Sequence, residues 1–182
     1  MRRAGALLAL ACVACGAKVQ TPFSDLTTDP RTAEKPPSAE TVKLPPFPNP
    51  SDLVRFDTGP TSSFDFFIDP KSPSVDKDQV IRFTVVAKSA GATNIAYEGL
   101  RCPGRERKVY AYGRPDGTWR EASDPDWVRI SAERGEQYRF MLYQHYFCPG
   151  RYPIRTAAEG VDALRRGGHP KATEVYSGSM TD

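Results

Sequence analysis

The sequence predicts an α+β domain: an antiparallel β-meander of about four to five strands with two C-terminal helices packed on one face. Three observations carry this. Val80 to Lys88 alternates apolar and polar side chains with the period of a strand. Arg114-Pro115-Asp116-Gly117 is a strong hairpin turn between two such runs. After Pro125 the apolar spacing changes to that of a helix and stays so.

The elements follow in order. Phe64-Asp65-Phe66-Phe67-Ile68 is aromatic-rich and ends at the turn signal Asp69-Pro70. In Val80 to Lys88, Ile81, Phe83, Val85 and Ala87 share one face, and Arg82, Thr84, Val86 and Lys88 the other, which reads as a half-buried strand. Gly91 breaks it, Thr93 to Cys102 forms the next strand, and Pro103-Gly104 turns the chain. Arg107 to Tyr112 and Thr118 to Glu121 are the strands on either side of the hairpin turn. Short connections make consecutive strands pair antiparallel. Glu136 to Phe147 carries Tyr138, Met141, Leu142 and His145 at helical spacing until Cys148-Pro149-Gly150 stops it. A capping box, Thr156-Ala157-Ala158-Glu159, starts the second helix, Ala157, Val161 and Leu164 give its apolar stripe, and Gly167 is placed to be its left-handed cap.

The chain has 182 residues, room for one ordinary domain and its tails. Residues 1–15 read as a signal peptide: Arg2 and Arg3 are basic, and Ala4 to Val13 is apolar and too short to span a bilayer. Val13-Ala14-Cys15-Gly16 resembles a lipobox, which makes Cys15 the expected lipidated N-terminus. Position −3 is Cys12 rather than leucine; cleavage before Cys12 and ordinary cleavage near Ala17 are the rival readings. Residues 16–50 read as a proline-rich flexible linker, since eight of the 17 prolines fall between Thr21 and Pro50 in a stretch without periodicity. The expected globular domain is 51–170, with disorder over Val19 to Leu44, and 171–182 is a C-terminal tail.

Composition excludes some partners. The net charge is +3, and without Arg2 and Arg3 the balance is 23 basic against 22 acidic residues. Nucleic acid needs a clear basic excess on one face, so no nucleic-acid partner is expected.

The candidate chemistry is sparse. Cys102 and Cys148 are the two cysteines after the leader, and in an exported chain such a pair reads as a disulfide. No Cys-x-x-Cys supports a redox centre outside the leader, and no histidine cluster supports a metal, so no cofactor is expected. His169, in Gly167-Gly168-His169-Pro170, reads as exposed. Glu98 shares strand parity with Cys102, so if Cys102 faces the helices to pair with Cys148, Glu98 also points inward and needs a partner; a local Arg or Tyr is the simple one, and a hydrolytic pair with His145 the sharp one. If Cys102 bonds Cys148, His145 lies over Leu100, and Tyr138, Met141 or Leu142 comes nearer Glu98. Arg101, Arg105, Arg107, Lys108 and Arg114, with Tyr110, Tyr112 and Trp119 among them, form a basic cluster around one hairpin. It reads either as a solvated face or as a grip for an anion. Glu98, Arg101, Arg107, Tyr110 and Trp119 are the possible ligand contacts.

Several segments together resemble the cryptic neisserial protein (CNP-like) family of exported Gram-negative proteins. They are Leu44-Pro45-Pro46-Phe47-Pro48, Phe66-Phe67-Ile68-Asp69, Tyr97-Glu98-Gly99-Leu100-Arg101-Cys102, Arg107-Lys108-Val109-Tyr110-Ala111-Tyr112-Gly113, Asp116-Gly117-Thr118-Trp119, Tyr146-Phe147-Cys148-Pro149 and Ala163-Leu164-Arg165-Arg166-Gly167-Gly168. The resemblance implies an envelope location and brings no assigned reaction. The strand pattern from Phe66 to Tyr112 is also similar to small surface-adhesin-like domains. The expectation is therefore a non-catalytic lipoprotein of the cell envelope, in the outer membrane and facing the periplasm, or soluble in the periplasm if not lipidated. Its partners are a membrane, through the lipid anchor, and an envelope protein or other ligand of its binding or scaffolding domain. The alternative is a small envelope hydrolase using Glu98 and His145.

Overall fold

A computed structural model describes residues 42–59, 62–123, 126–132 and 135–172. The expectations for the leader, Cys12, Cys15, the linker before Val42 and the tail from Thr173 lie outside these residues.

Eight strands of the described residues form one antiparallel sheet. They are β1 (Val54–Phe56), β2 (Asp65–Ile68), β3 (Ser74–Val75), β4 (Ile81–Lys88), β5 (Thr93–Arg101), β6 (Glu106–Gly113), β7 (Trp119–Glu121) and β8 (Val128–Arg129). The order is β1-β2-β4-β5-β6-β7. β3 joins the edge of β4 at Ile81 and Arg82, beyond the end of β2, and β8 joins β6 at Glu106 and Arg107. The meander and its α+β class are as the sequence implies, but the strands exceed the four to five expected. The additional ones, β1, β3 and β8, have only two or three residues each, too few to show an alternation.

One face of the sheet carries Ile81, Phe83, Val85, Leu100 and Cys102, and the helical segments pack on it. α1 (Gln137–Met141) continues into a π-helix over Leu142–Phe147, and α2 (Ala157–Arg165) follows. The expected uniform α-helix from Glu136 to Phe147 is corrected here. From Leu142 the turn widens, and the Cys148 amide donates to the Tyr143 carbonyl five residues back. That wider turn brings Leu142, Tyr143, Tyr146 and Phe147 into the core together. The Thr156 hydroxyl caps α2 by accepting from the Glu159 amide at 3.2 Å, while the Glu159 carboxylate reaches back to the Arg155 amide. Gly167, at φ 76°, ends the helix in the left-handed region. The Cys102–Cys148 disulfide, with Cα atoms 5.5 Å apart, ties the end of β5 to the end of the π-helix.

The opposite face is not the solvated one that the alternation of β4 implies. Arg82 and Thr84 are buried. Tyr97, Tyr110 and Ala111 form a second apolar cluster there, and Val42, Leu44 and Trp119 pack against it. The Phe47 ring lies 5.3 Å from Trp119, and the Trp119 indole donates to the Pro45 carbonyl at 2.9 Å. Residues 42–47, expected as flexible linker, are therefore a strap on the sheet. Arg82 is compensated by Asp76 at 2.8 Å and Asp78 at 2.6 Å, so its charge enters the sheet already paired. At the other end Ala172, expected in the tail, is buried.

The disulfide spans 46 residues of chain, and closing such a loop contributes about 4 kcal/mol in the chain-entropy account. Cys102→Ser should lower the melting temperature of the oxidised protein by more than 10 °C, roughly. Calorimetry with and without reductant tests this: reductant should lower the parent toward the variant and leave the variant unchanged. A parent insensitive to complete reduction would show that the cross-link holds nothing.

Candidate functional site

Antiparallel pairing sets which residues share a face. Glu98 on β5 lies opposite Phe83 on β4 and Val109 on β6, all under the helices. It is fully buried. An ionised carboxylate there requires charge compensation and hydrogen bonds, and α1 supplies both. The Tyr138 hydroxyl donates to Oε1 at 2.8 Å. The Arg139 guanidinium takes both oxygens, Nη2 to Oε1 at 2.6 Å and Nε to Oε2 at 2.7 Å. Arg139 also bonds Glu136 at 2.7 Å, and Glu136 bonds Arg107 of β6 at 2.9 Å. The charges thus alternate from β6 through α1 to β5. Glu98 is paired with both an Arg and a Tyr, the residue types expected, though from distant chain rather than local, and Tyr138 is one of the three residues that the spacing brought near it.

Electrostatics follows from this packing. Burial, and then the negative charge of Glu98, push the Tyr138 hydroxyl well above its ordinary value. Burial works against the charged form of Arg139, but Glu98 outweighs it and holds the guanidinium more firmly protonated than a free arginine. Tyr97 and Tyr146 are also pushed upward, in each case chiefly by burial.

Beside this network opens a cleft of about 680 Å³. Phe64, Phe66, Val85 and Tyr112 are among its apolar lining, and Glu98, Tyr138 and Arg139, with Asn94 and Gln137, among its polar lining. Tyr138 stacks on Phe66, with centroids 4.5 Å apart and planes 19° from parallel, so one ring serves both the wall and the hydrogen-bond network.

The remaining expected site residues separate. Arg107 joins the Glu98 network on the helix face. Tyr110 and Trp119 lie on the strap face. Arg101 stacks over Trp127 at 3.9 Å, and Lys108 lies 5.8 Å from the same ring. Arg105 enters a different cleft at the end of the sheet. The five ligand-contact candidates therefore do not form one site. Tyr110 faces the strap by ordinary alternation from Arg107, and a bulge at Tyr97/Glu98 turns Ala111, and with it Gly113 and its partner Trp119, to the same face.

His145 does not meet Glu98: both carboxylate oxygens go to Tyr138 and Arg139, and the His145 carbonyl accepts the His169 amide at 2.7 Å. His169 is buried, not exposed as the flanking glycines imply, and its Nε2 lies 2.9 Å from Glu159. Among the described residues no three His, Cys, Asp or Glu side chains converge to hold a metal. Sequence reasoning missed Arg139. Its signal is the Glu136-Gln137-Tyr138-Arg139 order, which sets a base beside an acid at the start of a helix that faces Glu98.

Two predictions follow from the buried pair. Glu98→Gln leaves Arg139 with Glu136 as its remaining counter-charge and removes the buried one, which should cost about 3 kcal/mol in urea unfolding. Adding Arg139→Met should restore part of that loss, whereas additive losses would mean that the two residues are not coupled. The raised tyrosines give the second. The folded chain keeps protons that the unfolded chain releases above pH 10.0, so this stability is full below that value and is lost as pH rises through the native pKa values. Urea midpoints should fall between about pH 9 and about pH 12, and less steeply in Glu98→Gln. A flat midpoint across that range would contradict the assignment.

No curated protein and no solved structure matches the chain. The model of one family, the CNP1-like family, matches residues 32–165. That span includes the strap, the whole sheet, the disulfide and the Glu98 network, and the protein belongs to the CNP1-like family.

Proposed function

We propose that the protein is a non-catalytic binding module of the cell envelope, carried on a lipid at Cys15 in the outer membrane and facing the periplasm. The observation that supports binding over catalysis is the state of Glu98. It is the carboxylate at the cleft, and both of its oxygens are committed to Tyr138 and Arg139. A general base needs a free lone pair aimed at substrate, and a nucleophile needs access. Three of the roughly four acceptor sites of Glu98 are filled and the residue is fully buried, so its network serves as a rigid polar part of an aromatic-walled cleft. Such a cleft suits a ligand with a flat apolar body and one polar terminus.

The envelope assignment draws on the leader and on the disulfide, which persists in oxidising compartments. A lipid at Cys15 followed by proline-rich chain would hold the domain off the membrane by roughly 30 Å if that chain is a flexible coil.

The cleft is tested with anilinonaphthalene sulfonate, whose fluorescence rises in apolar sites. The folded protein should bind it at one site, and Ala96→Trp, which places an indole in the cleft, should abolish that binding while far-ultraviolet circular dichroism stays unchanged. Dye binding that survives the substitution would place the apolar site elsewhere. Intact mass of the chain from a membrane fraction checks the anchor: the mature chain should begin at Cys15 with acyl mass attached. A lipid-free chain beginning near Lys18 would reject it.

A further inference from the structure

A second cleft, of about 640 Å³, lies beside the disulfide. Its wall is built from an internal repeat. Cys102-Pro103-Gly104-Arg105 and Cys148-Pro149-Gly150-Arg151 are the same tetrapeptide, and the disulfide joins their first residues. Each copy closes a tight turn in which the arginine amide donates to the cysteine carbonyl, at 3.1 Å and 3.0 Å. Each places its arginine in the left-handed region, at φ 50° and φ 71°. Gln79 is the one other non-glycine residue there among the described residues. Glycine would adopt this backbone freely, whereas a long side chain adopts it at a cost. Both turns spend that cost on a guanidinium that lines the cleft.

Among the described residues the charges have no ion-pair partner within contact distance, the nearest carboxylate being that of Glu106, opposite Arg129 across β6 and β8. Arg129 of β8 is the third arginine of the wall, and β8 is held against the first turn by the Ile130 amide, which donates to the Arg105 carbonyl at 2.8 Å. Among the described residues, no carboxylate lines the cleft and no ion pair engages Arg105, Arg129 or Arg151. Two polar atoms at the cleft are shielded from solvent and have no hydrogen-bond partner: Nε of Arg105, a donor, and Oε1 of Gln144, an acceptor. The ring of Phe140 lies against the Arg105 guanidinium, with 5.6 Å from its carbon to the ring centroid. The arginines more deeply buried than these are paired, Arg82 with Asp76 and Asp78, Arg139 with Glu98 and Glu136, whereas Arg105 is half-buried and Arg129 and Arg151 are exposed. The arginines of this cleft stand apart from that pattern.

We propose that the twin Cys-Pro-Gly-Arg turns form an oxyanion site, which takes a phosphate group with a hydroxyl beside it, as in a glycerol phosphate. The guanidiniums of Arg105, Arg129 and Arg151 bind the phosphate oxygens, since arginine forks match that geometry. The Gln144 oxygen accepts from the neighbouring hydroxyl. The disulfide sets the spacing of Arg105 and Arg151 by joining their turns three residues upstream. This site is separate from the apolar cleft, and its test does not depend on ligand binding there.

Isothermal titration of the full-length chain in neutral detergent, at constant ionic strength, compares sodium chloride, inorganic phosphate and glycerol phosphate. Glycerol phosphate should bind more tightly than phosphate, and chloride should not compete. The decisive variants are Arg105→Gly and Arg151→Gly, because glycine removes the guanidinium and relieves the left-handed backbone at once. Each should weaken phosphate binding about tenfold while melting no lower than the parent. Gln144→Leu should remove the advantage of glycerol phosphate over phosphate. Phosphatidylglycerol vesicles form a further arm: binding that requires both arginines there would identify the source as a lipid headgroup, and its absence would leave the free ester. The proposal is overturned if phosphate binds no better than chloride, or if the double glycine variant binds phosphate as the parent does.

Discussion

Burying the carboxylate of Glu98 is the constraint on which the helix face depends. Left alone, an ionised group there costs several kcal/mol, a large share of the stability of a domain this size. The answer is assembled from far along the chain. Arg139 and Tyr138 sit about forty residues downstream and reach Glu98 when α1 lies across β5 in one register. Arg139 brings a charge of its own, which Glu136 shares, and Glu136 in turn holds Arg107 on β6. Hydrophobic contact alone would let the short α1 slide, since apolar packing has little directionality. The paired charges remove that freedom, and the stack of Tyr138 on Phe66 extends the same restraint to β2.

Much of this was legible because strand parity is local. Glu98 points inward by the same count that points Cys102 inward, and the burial of both follows. The hairpin at Arg114 to Gly117, the cap at Thr156 and the stop at Gly167 are likewise set by residues within a turn of each other. What the sequence hid depends on distant chain. Arg82 and Thr84 read as solvent-facing, and their burial comes from a strap and a Tyr97–Tyr110 cluster that no alternation within β4 reveals. His169 follows two glycines and reads as exposed. The turn at Gly167 folds it back on the His145 carbonyl and the Glu159 carboxylate instead. The residues of the basic cluster separate for a geometric reason. Neighbours in sequence are opposites across a sheet, and the bulge shifts the parity partway along β6.

The two clefts illustrate how one fold keeps different chemistries apart. At the apolar cleft every charge is matched, so the polar part is rigid and nearly neutral. At the disulfide end three arginines line a cleft that no carboxylate lines among the described residues. Both results rest on the same sheet, whose β5 carries Glu98 inside the core and delivers Cys102 just past its end.

The cross-link also bears on why the fold can accept the arginine cleft at all. A left-handed backbone costs an L-residue about 1–2 kcal/mol, and the two Cys-Pro-Gly-Arg turns incur it twice. Mutual repulsion of unpaired guanidiniums adds to this, moderated by solvent because Arg129 and Arg151 are exposed. Against these stands the disulfide, worth about 4 kcal/mol for a loop of 46 residues. The terms are of the same size, so the bridge offsets the strain at the place where it arises. A bridge elsewhere in the chain could stabilise the domain equally well by entropy alone. Only one between the two turns also holds their arginines at a fixed separation, which makes the position of the disulfide, more than its energy, the informative feature.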